Sequence, residues 1–449
     1  MKTILRALLA FRPITIGVAC LALCAALALP VQANAGGPGP AQFKIMHSDR
    51  TELGDDIAHY RYDVAMGPGT YDVVRIHRIV REKRPNKPVS TRDAVMLLPG
   101  NPNSFEGIFM APMVTGVSEL DHSIVIFLAQ NDIDVWGMDY GWALVPPEEN
   151  AFEFMGQWGL AKDVAHAEAA LSVVRSMRVD TGQGNGRLHV LGLSYGGQVG
   201  YTLVGEETAQ PPGLRNVKGL IALDIGVKLS NESDRGFYCD MAEIDQARFD
   251  SNPPTSYANN IGLGFQALAY LASTDPDAVS PIPEFVPLTN WQAALFVGAS
   301  TELVTGQFWH MVGGHLDEYG IPSGLRFTDD QLWVGAMGAS FPPYYPVRID
   351  VDTDRLLCGT VDTPFDDHFA QITVPILHVG AKGGFGPSAY ASTTFTASRD
   401  VTTITVQRLS DADEAMDFGH VDTVLARDAE TLVWRPILDW IMAHRENRP

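Results

Sequence analysis

The spacing of apolar positions changes along the chain, and each change marks a different kind of element. Segments Ala58 to Met66 and Tyr71 to Arg81 alternate apolar and polar residues rich in β-formers, with Gly67-Pro68-Gly69 between them, which predicts a hairpin. From residue 93 onward, short apolar runs alternate with longer helical stretches. The runs are Ala94 to Leu98, Ile133 to Met138, Leu188 to Leu193 and Val217 to Leu223, with an amphipathic stretch over Leu160 to Met177 and a helix after Ser194. That alternation predicts parallel βαβ units, whose ligands bind beyond the carboxyl ends of the strands. It stops after Asp224 and resumes near Val374, where Pro375 to Val379 and Thr403 to Gln407 read as strands before a helix over Ala429 to His444. The intervening segment, 229–369, is too long for a connection and reads as a mainly helical cap insertion. It is dense in aromatics, with 14 in the 92 positions from Ser256 to Val347 against 9% for the whole chain. This predicts either an apolar binding surface or a core of the insertion's own.

Charge narrows the classes of function. The 449 residues hold 32 Lys+Arg and 53 Asp+Glu, and the first 35 contain Lys2, Arg6 and Arg12 but no acid. Without those 35 residues the balance is 29 bases to 53 acids, a net −24. A nucleic-acid binder or an anionic-membrane binder would need a basic face, so both are excluded as expectations. The same 35 residues run from basic to apolar (Ile14 to Leu29) to Pro30 and end in Ala33-Asn34-Ala35, the pattern of a secretory signal peptide. Their apolar run falls short of the roughly 20 residues a membrane anchor needs, so no stable span is expected after cleavage. Lipidation at Cys20 or Cys24 suits the sequence less well, because Leu23 is bulky and Gly17 is a poor start to the motif. Residues 36–56 read as a linker. Cys239 and Cys358 then remain, an even pair in a compartment that permits oxidation, and a disulfide is expected.

Candidate chemistry centres on Gly192-Leu193-Ser194-Tyr195-Gly196. The pentapeptide is a weak signal alone, but it follows a predicted strand and opens a predicted helix, the setting of a nucleophile elbow. Here the sequence resembles the α/β-hydrolase superfamily over about 93–224 and 370–445, with the cap unmatched. The resemblance implies a mostly parallel eight-stranded sheet flanked by helices, and a catalytic order of nucleophile, acid, histidine. Ser194 is then the nucleophile, and His420, in Gly419-His420-Val421-Asp422 after the last strand, is the histidine. His315 carries the same local pattern but lies in the cap. The usual acid position after Pro375 to Val379 holds Gly380-Ala381-Lys382-Gly383-Gly384-Phe385-Gly386 and no carboxylate. Asp224, at the end of Val217 to Leu223, is the expected acid, with Asp417 and Asp362 as weaker alternatives. The oxyanion donors are expected to be the N–H groups of Tyr195 and of Asn101, from Pro99-Gly100-Asn101-Pro102-Asn103. Asp139 and Asp422 read as structural residues, Asp422 as a helix cap.

These features predict a secreted or periplasmic serine hydrolase acting on a small-molecule or lipid-like ester with an apolar group. No cofactor is implied, and no metal-ligand spacing or phosphate-binding glycine loop is visible. The alternatives are a capped aminopeptidase, using cap carboxylates such as Glu302 or Asp317 to hold an amine, and a non-catalytic binding protein.

Overall fold

The computed structural model describes residues 44–446, except 55, 120–121, 252–254 and 302–308. The expected leader (1–35), the start of the expected linker and Glu302 therefore lie outside the described residues. Among the described residues the main sheet has ten strands, nine of them in one continuous order: β1 (Lys44–Gly54), β2 (Ile57–Ala65), β3 (Val73–Arg84), β4 (Asp93–Leu98), β5 (Ile133–Asp139), β6 (Leu188–Leu193), β7 (Val217–Leu223), β8 (Ile376–Ala381) and β9 (Val401–Val406). Their order is β1-β2-β3-β5-β4-β6-β7-β8-β9, and a two-residue strand, Lys87–Pro88, pairs with β3 off this path. The first three strands and the β3–β5 pair are antiparallel, whereas every pair from β5 to β9 is parallel.

Burial explains why the parallel strands read as unbroken apolar runs: β4, β6, β7 and β8 are buried along their whole length. Alternate residues of one strand serve different layers. Val95 and Leu97 join helices α1 (Phe105–Phe109) and α2 (Ile124–Gln130) on one face. Ala94, Met96 and Leu98 join α3 (Leu160–Asp180) and α4 (Tyr195–Glu207) on the other. One expectation is corrected here, because Lys44–Gly54, read as part of a linker, forms the sheet's outer strand. No residue of β1 is buried, so it lacks the alternation that marks a strand in sequence, and its pairing with β2 alone defines it.

Between β7 and β8 the chain forms α5 (Glu232–Ser251), α6 (Ile261–Thr274), α7 (Asn290–Ala299), α8 (Asp330–Ser340) and α9 (Val347–Cys358). The last helix of the chain is α10 (Arg435–Ala443). Many of the insertion's aromatics are buried in packing that continues into the layers of the sheet. Phe296 and Trp333 are buried, Phe265 packs on Phe341, and the Trp333 indole donates to the Ala294 carbonyl at 2.9 Å, although Tyr270 stays 68% exposed. Cys239 on α5 and Cys358 at the end of α9 are joined in a disulfide, with their Cα atoms 4.7 Å apart. The first and last insertion helices are thus tied across a sequence separation of 119. Closing a loop of that length stabilises a fold by about 4–5 kcal/mol in the chain-entropy model. A Cys239→Ser/Cys358→Ser double variant should unfold at a clearly lower urea midpoint. Alkylation of Cys239 in the unreduced protein would contradict the bridge.

Candidate active site

Ser194 stands between β6 and α4 with φ 53° and ψ −130°, a left-handed conformation that a side chain adopts only under constraint. The flanking glycines show the constraint. A Cβ on Gly192 would lie 2.2 Å from the Gly196 carbonyl carbon, and one on Gly196 would lie 2.1 Å from the Leu98 oxygen. Strand, turn and helix can cross this closely only without those side chains. Leu193 pairs with Leu223 in the β6–β7 register, and the Ser194 N–H donates to the Leu223 carbonyl at 3.2 Å. Ser194 and Asp224 therefore leave the sheet side by side, at the carboxyl ends of neighbouring parallel strands.

Asp224 also has a positive φ, 47°, and its carboxylate is fully buried. One oxygen accepts the N–H groups of Ala381 (2.7 Å) and Gly386 (3.1 Å), and the other accepts that of Phe385 (3.2 Å) and the ring of His420 (2.7 Å, from Nδ1). The loop after β8, which lacks an acid of its own, instead wraps the acid of the neighbouring strand. Gly384 is required there, because a Cβ would come within 2.0 Å of the Asp224 oxygen. Since a carboxylate accepts at Nδ1, that nitrogen carries the proton, and Nε2 of His420 is left as an acceptor. The imidazole is nearly buried between Trp309, from the insertion, and Phe385, with ring centroids 5.3 and 5.7 Å away. The His420 N–H donates to the His310 carbonyl at 3.0 Å, so the insertion also fixes the histidine's backbone.

The loop after β4 completes the neighbourhood. A Cβ on Gly100 would sit 2.7 Å from the Ser194 Cβ, which brings Gly100, the residue before Asn101, against the nucleophile candidate. Tyr195 is the first residue of α4, so its N–H has no acceptor one turn back. The Asn101 side chain donates to Asp350 on α9 at 3.3 Å.

No protein-family model matches the chain, and no curated protein matches it in sequence. Among solved structures, a candidate lipase from Sulfolobus solfataricus is similar over 89% of this chain and 100% of its own, at 19% identity and a TM-score of 0.59. A monoglyceride lipase from Saccharomyces cerevisiae (12% identity, 85% and 94% covered, TM-score 0.45) and a proline iminopeptidase from Mycobacterium smegmatis (12%, 89% and 98%, 0.40) are more distant. The first likeness and the strand order decide the fold. This is the α/β-hydrolase fold.

Within the α/β-hydrolase fold the remaining candidates fall elsewhere. The Asp417 carboxylate accepts the N–H groups of Arg408, Leu409 and Phe418, which closes the turn before His420. Asp362 is exposed, and so is His315 on a small two-stranded ribbon. The Asp317 carboxylate is engaged by Tyr319 and Ile321 N–H groups in an exposed turn. Asp422 begins its short helix and accepts from Gly419 and from Gly313 of the insertion. Asp139 accepts the Phe105 N–H at 2.6 Å, a structural role.

Sequence pattern missed the supports beneath and beside these groups. The Tyr195 hydroxyl (2.8 Å) and the Trp142 indole (3.0 Å) both donate to buried Asp163, in the first turn of α3. Trp309 carries no periodic signal, since it precedes an irregular stretch. A cavity of about 620 Å³ lined by Thr115, Val117, Trp291, Gln331 and Val334 includes none of the site residues.

Burial pushes the Asp163 carboxyl up to about 7, with the two donors pulling the other way. Its folded value lies above the unfolded one near 3.9, so the native state keeps a proton that the unfolded chain has lost. The contribution of this group to stability therefore falls as pH rises between about 4 and 7. Asp163→Asn retains an acceptor for both donors and cannot ionise. Its melting temperature relative to the unmodified protein should rise from about pH 5 to about pH 8. A difference independent of pH would contradict the assignment.

Proposed function

We propose that the chain is a secreted serine hydrolase that cleaves carboxylic esters through an acyl-enzyme. Ser194 Oγ attacks the ester carbonyl, and His420 Nε2 accepts its proton, then returns it to the departing alcohol. Asp224 holds the imidazole in the tautomer that leaves Nε2 free and stabilises the cation that forms. The N–H groups of Tyr195 and Asn101 receive the tetrahedral oxyanion. Water then repeats the sequence on the acyl-enzyme, with His420 again as the base. The reaction uses no cofactor.

One observation carries this reading: the 2.7 Å bond between His420 and Asp224, on the strand next to the strained Ser194 turn. A buried carboxylate oriented by three backbone donors and bonded to Nδ1 of a buried histidine is the arrangement that a general base requires. Trp309 and Phe385 beside His420 favour an apolar acyl or alcohol group, and the chain's net charge of −21 disfavours anionic substrates. Cleavage after Ala35 and the disulfide between Cys239 and Cys358 fit a secreted or periplasmic setting.

A capped aminopeptidase is favoured by a single feature. The Asp350 carboxyl, beside Asn101, could hold a substrate amine in place of the expected Glu302 or Asp317. Burial, and then the neighbouring Asp245, raise that carboxyl to about 7, which weakens its hold on a cation at neutral pH.

p-Nitrophenyl esters from short to long acyl chain should be hydrolysed faster than the matching aminoacyl anilides. The reverse order would select the peptidase. Ser194→Ala should abolish turnover and labelling by a fluorophosphonate, whereas an unlabelled native protein would select a binding role. Asp224→Asn should retain the fold and lose about 10³- to 10⁴-fold in kcat. Near-normal turnover in that variant would move the acid elsewhere.

A further inference from the structure

Three side chains with ligand-type donors, none used by the reaction above, meet on the antiparallel side of the sheet. His59 is on β2 and His77 on β3, and the register sets His59 opposite Ile79 and Arg61 opposite His77. The two imidazoles are thus diagonal neighbours on one face. Glu106, in the first turn of α1, lies over them. His59 Nε2 is 3.0 Å from His77 Nδ1, and Glu106 Oε1 is 3.9 Å from the first and 3.7 Å from the second. The point in their plane equidistant from the three atoms is about 2.1 Å from each, the bond length of zinc to imidazole nitrogen or carboxylate oxygen.

The surroundings suit a ligand set. Both histidines are buried, while Glu106 is partly exposed and leaves one side open to water. His77 Nε2 lies 3.0 Å from Asp139 Oδ2, so the proton sits on Nε2 and the Nδ1 lone pair faces the cluster. A carboxylate behind the imidazole orients and strengthens histidine ligands in this way. Phe105 stacks on His77, with centroids 4.4 Å apart and planes within 18°, and shields that flank from solvent. Arg61 is the cation that now faces Glu106, at 3.3 Å, and it has a second carboxylate, Asp49, at 2.9 Å to hold it when Glu106 is engaged. Arg75 is paired with Asp63.

We propose that His59, His77 and Glu106 bind one divalent transition-metal ion of the zinc class, with the fourth position taken by water. Without the ion, His59 Nε2–H donates to His77 Nδ1. The ion takes the place of that proton, and His59 then carries its hydrogen on Nδ1. Binding fastens the β2–β3 hairpin to α1. Asp139, which also accepts the Phe105 N–H, carries the tie to the end of the loop that holds Asn101. The site is structural and independent of the ester-hydrolase reading. No ligand spacing is visible in sequence because the three residues lie on two strands and a helix, at positions 59, 77 and 106.

The test is titration of the purified, EDTA-treated protein with zinc chloride by calorimetry, alongside thermal unfolding. Cobalt(II) serves as a spectroscopic substitute. The expected result is one zinc per chain, a higher melting temperature on loading, and cobalt bands of a nitrogen/oxygen site. Glu106→Gln and His59→Gln should each weaken zinc binding by on the order of 10- to 100-fold or more. His77 is fully buried, so the Glu106→Gln variant, on the more exposed side, guards against loss of the fold. Absence of saturable zinc binding in the native protein, or unchanged affinity in a folded Glu106→Gln variant, would overturn the proposal.

Discussion

The burial of one carboxylate organises the site. Asp224 ends β7 in a left-handed backbone conformation and sits beyond the reach of water. A buried carboxylate without donors is untenable, since each buried polar group left unpaired costs about 1–3 kcal/mol and a charge costs more. Three backbone N–H groups of the 380–386 loop and the His420 ring supply the donors. Gly384 of that loop follows from the same constraint, because a side chain there would occupy the space of the Asp224 oxygen. The position of His420 follows too, since its Nδ1 completes the carboxylate's coordination and its Nε2 is thereby left free.

The insertion takes part in this arrangement. Residues 309–313 run beside the His420 turn, where His310 and Met311 carbonyls accept the N–H groups of His420 and Val421, and Asp422 accepts the N–H of Gly313. Trp309 from the same segment packs against the imidazole. At the other end, the disulfide joins the insertion's first and last helices. The insertion is thus pinned both at its stems and at the His420 turn.

Much of this was legible in the sequence, for identifiable reasons. Strands buried on both faces must be continuously apolar, so β4 to β8 stood out, and the glycines at 192 and 196 marked a turn that tolerates no Cβ. The missing acid after β8 directed attention to Asp224, the residue bonded to His420. The outer strand β1 was not legible, because an exposed strand that pairs on one edge carries no alternation. The aromatics of the insertion were ambiguous, because a helical layer needs a core whether or not it also binds ligand, and Phe296 and Trp333 are in that core. Asp163, Trp309 and the His59–His77–Glu106 cluster were hidden because each is defined by elements distant in sequence.

Whether Asp224 and His420 serve Ser194 would be seen in the structure of the protein after reaction with a fluorophosphonate. Phosphorus should be bonded to Ser194 Oγ, with its oxygen within hydrogen-bond distance of the Tyr195 and Asn101 N–H groups and His420 Nε2 facing Ser194 while Nδ1 stays on Asp224. A reagent attached to another residue, or a His420 ring turned away from the adduct, would contradict that arrangement.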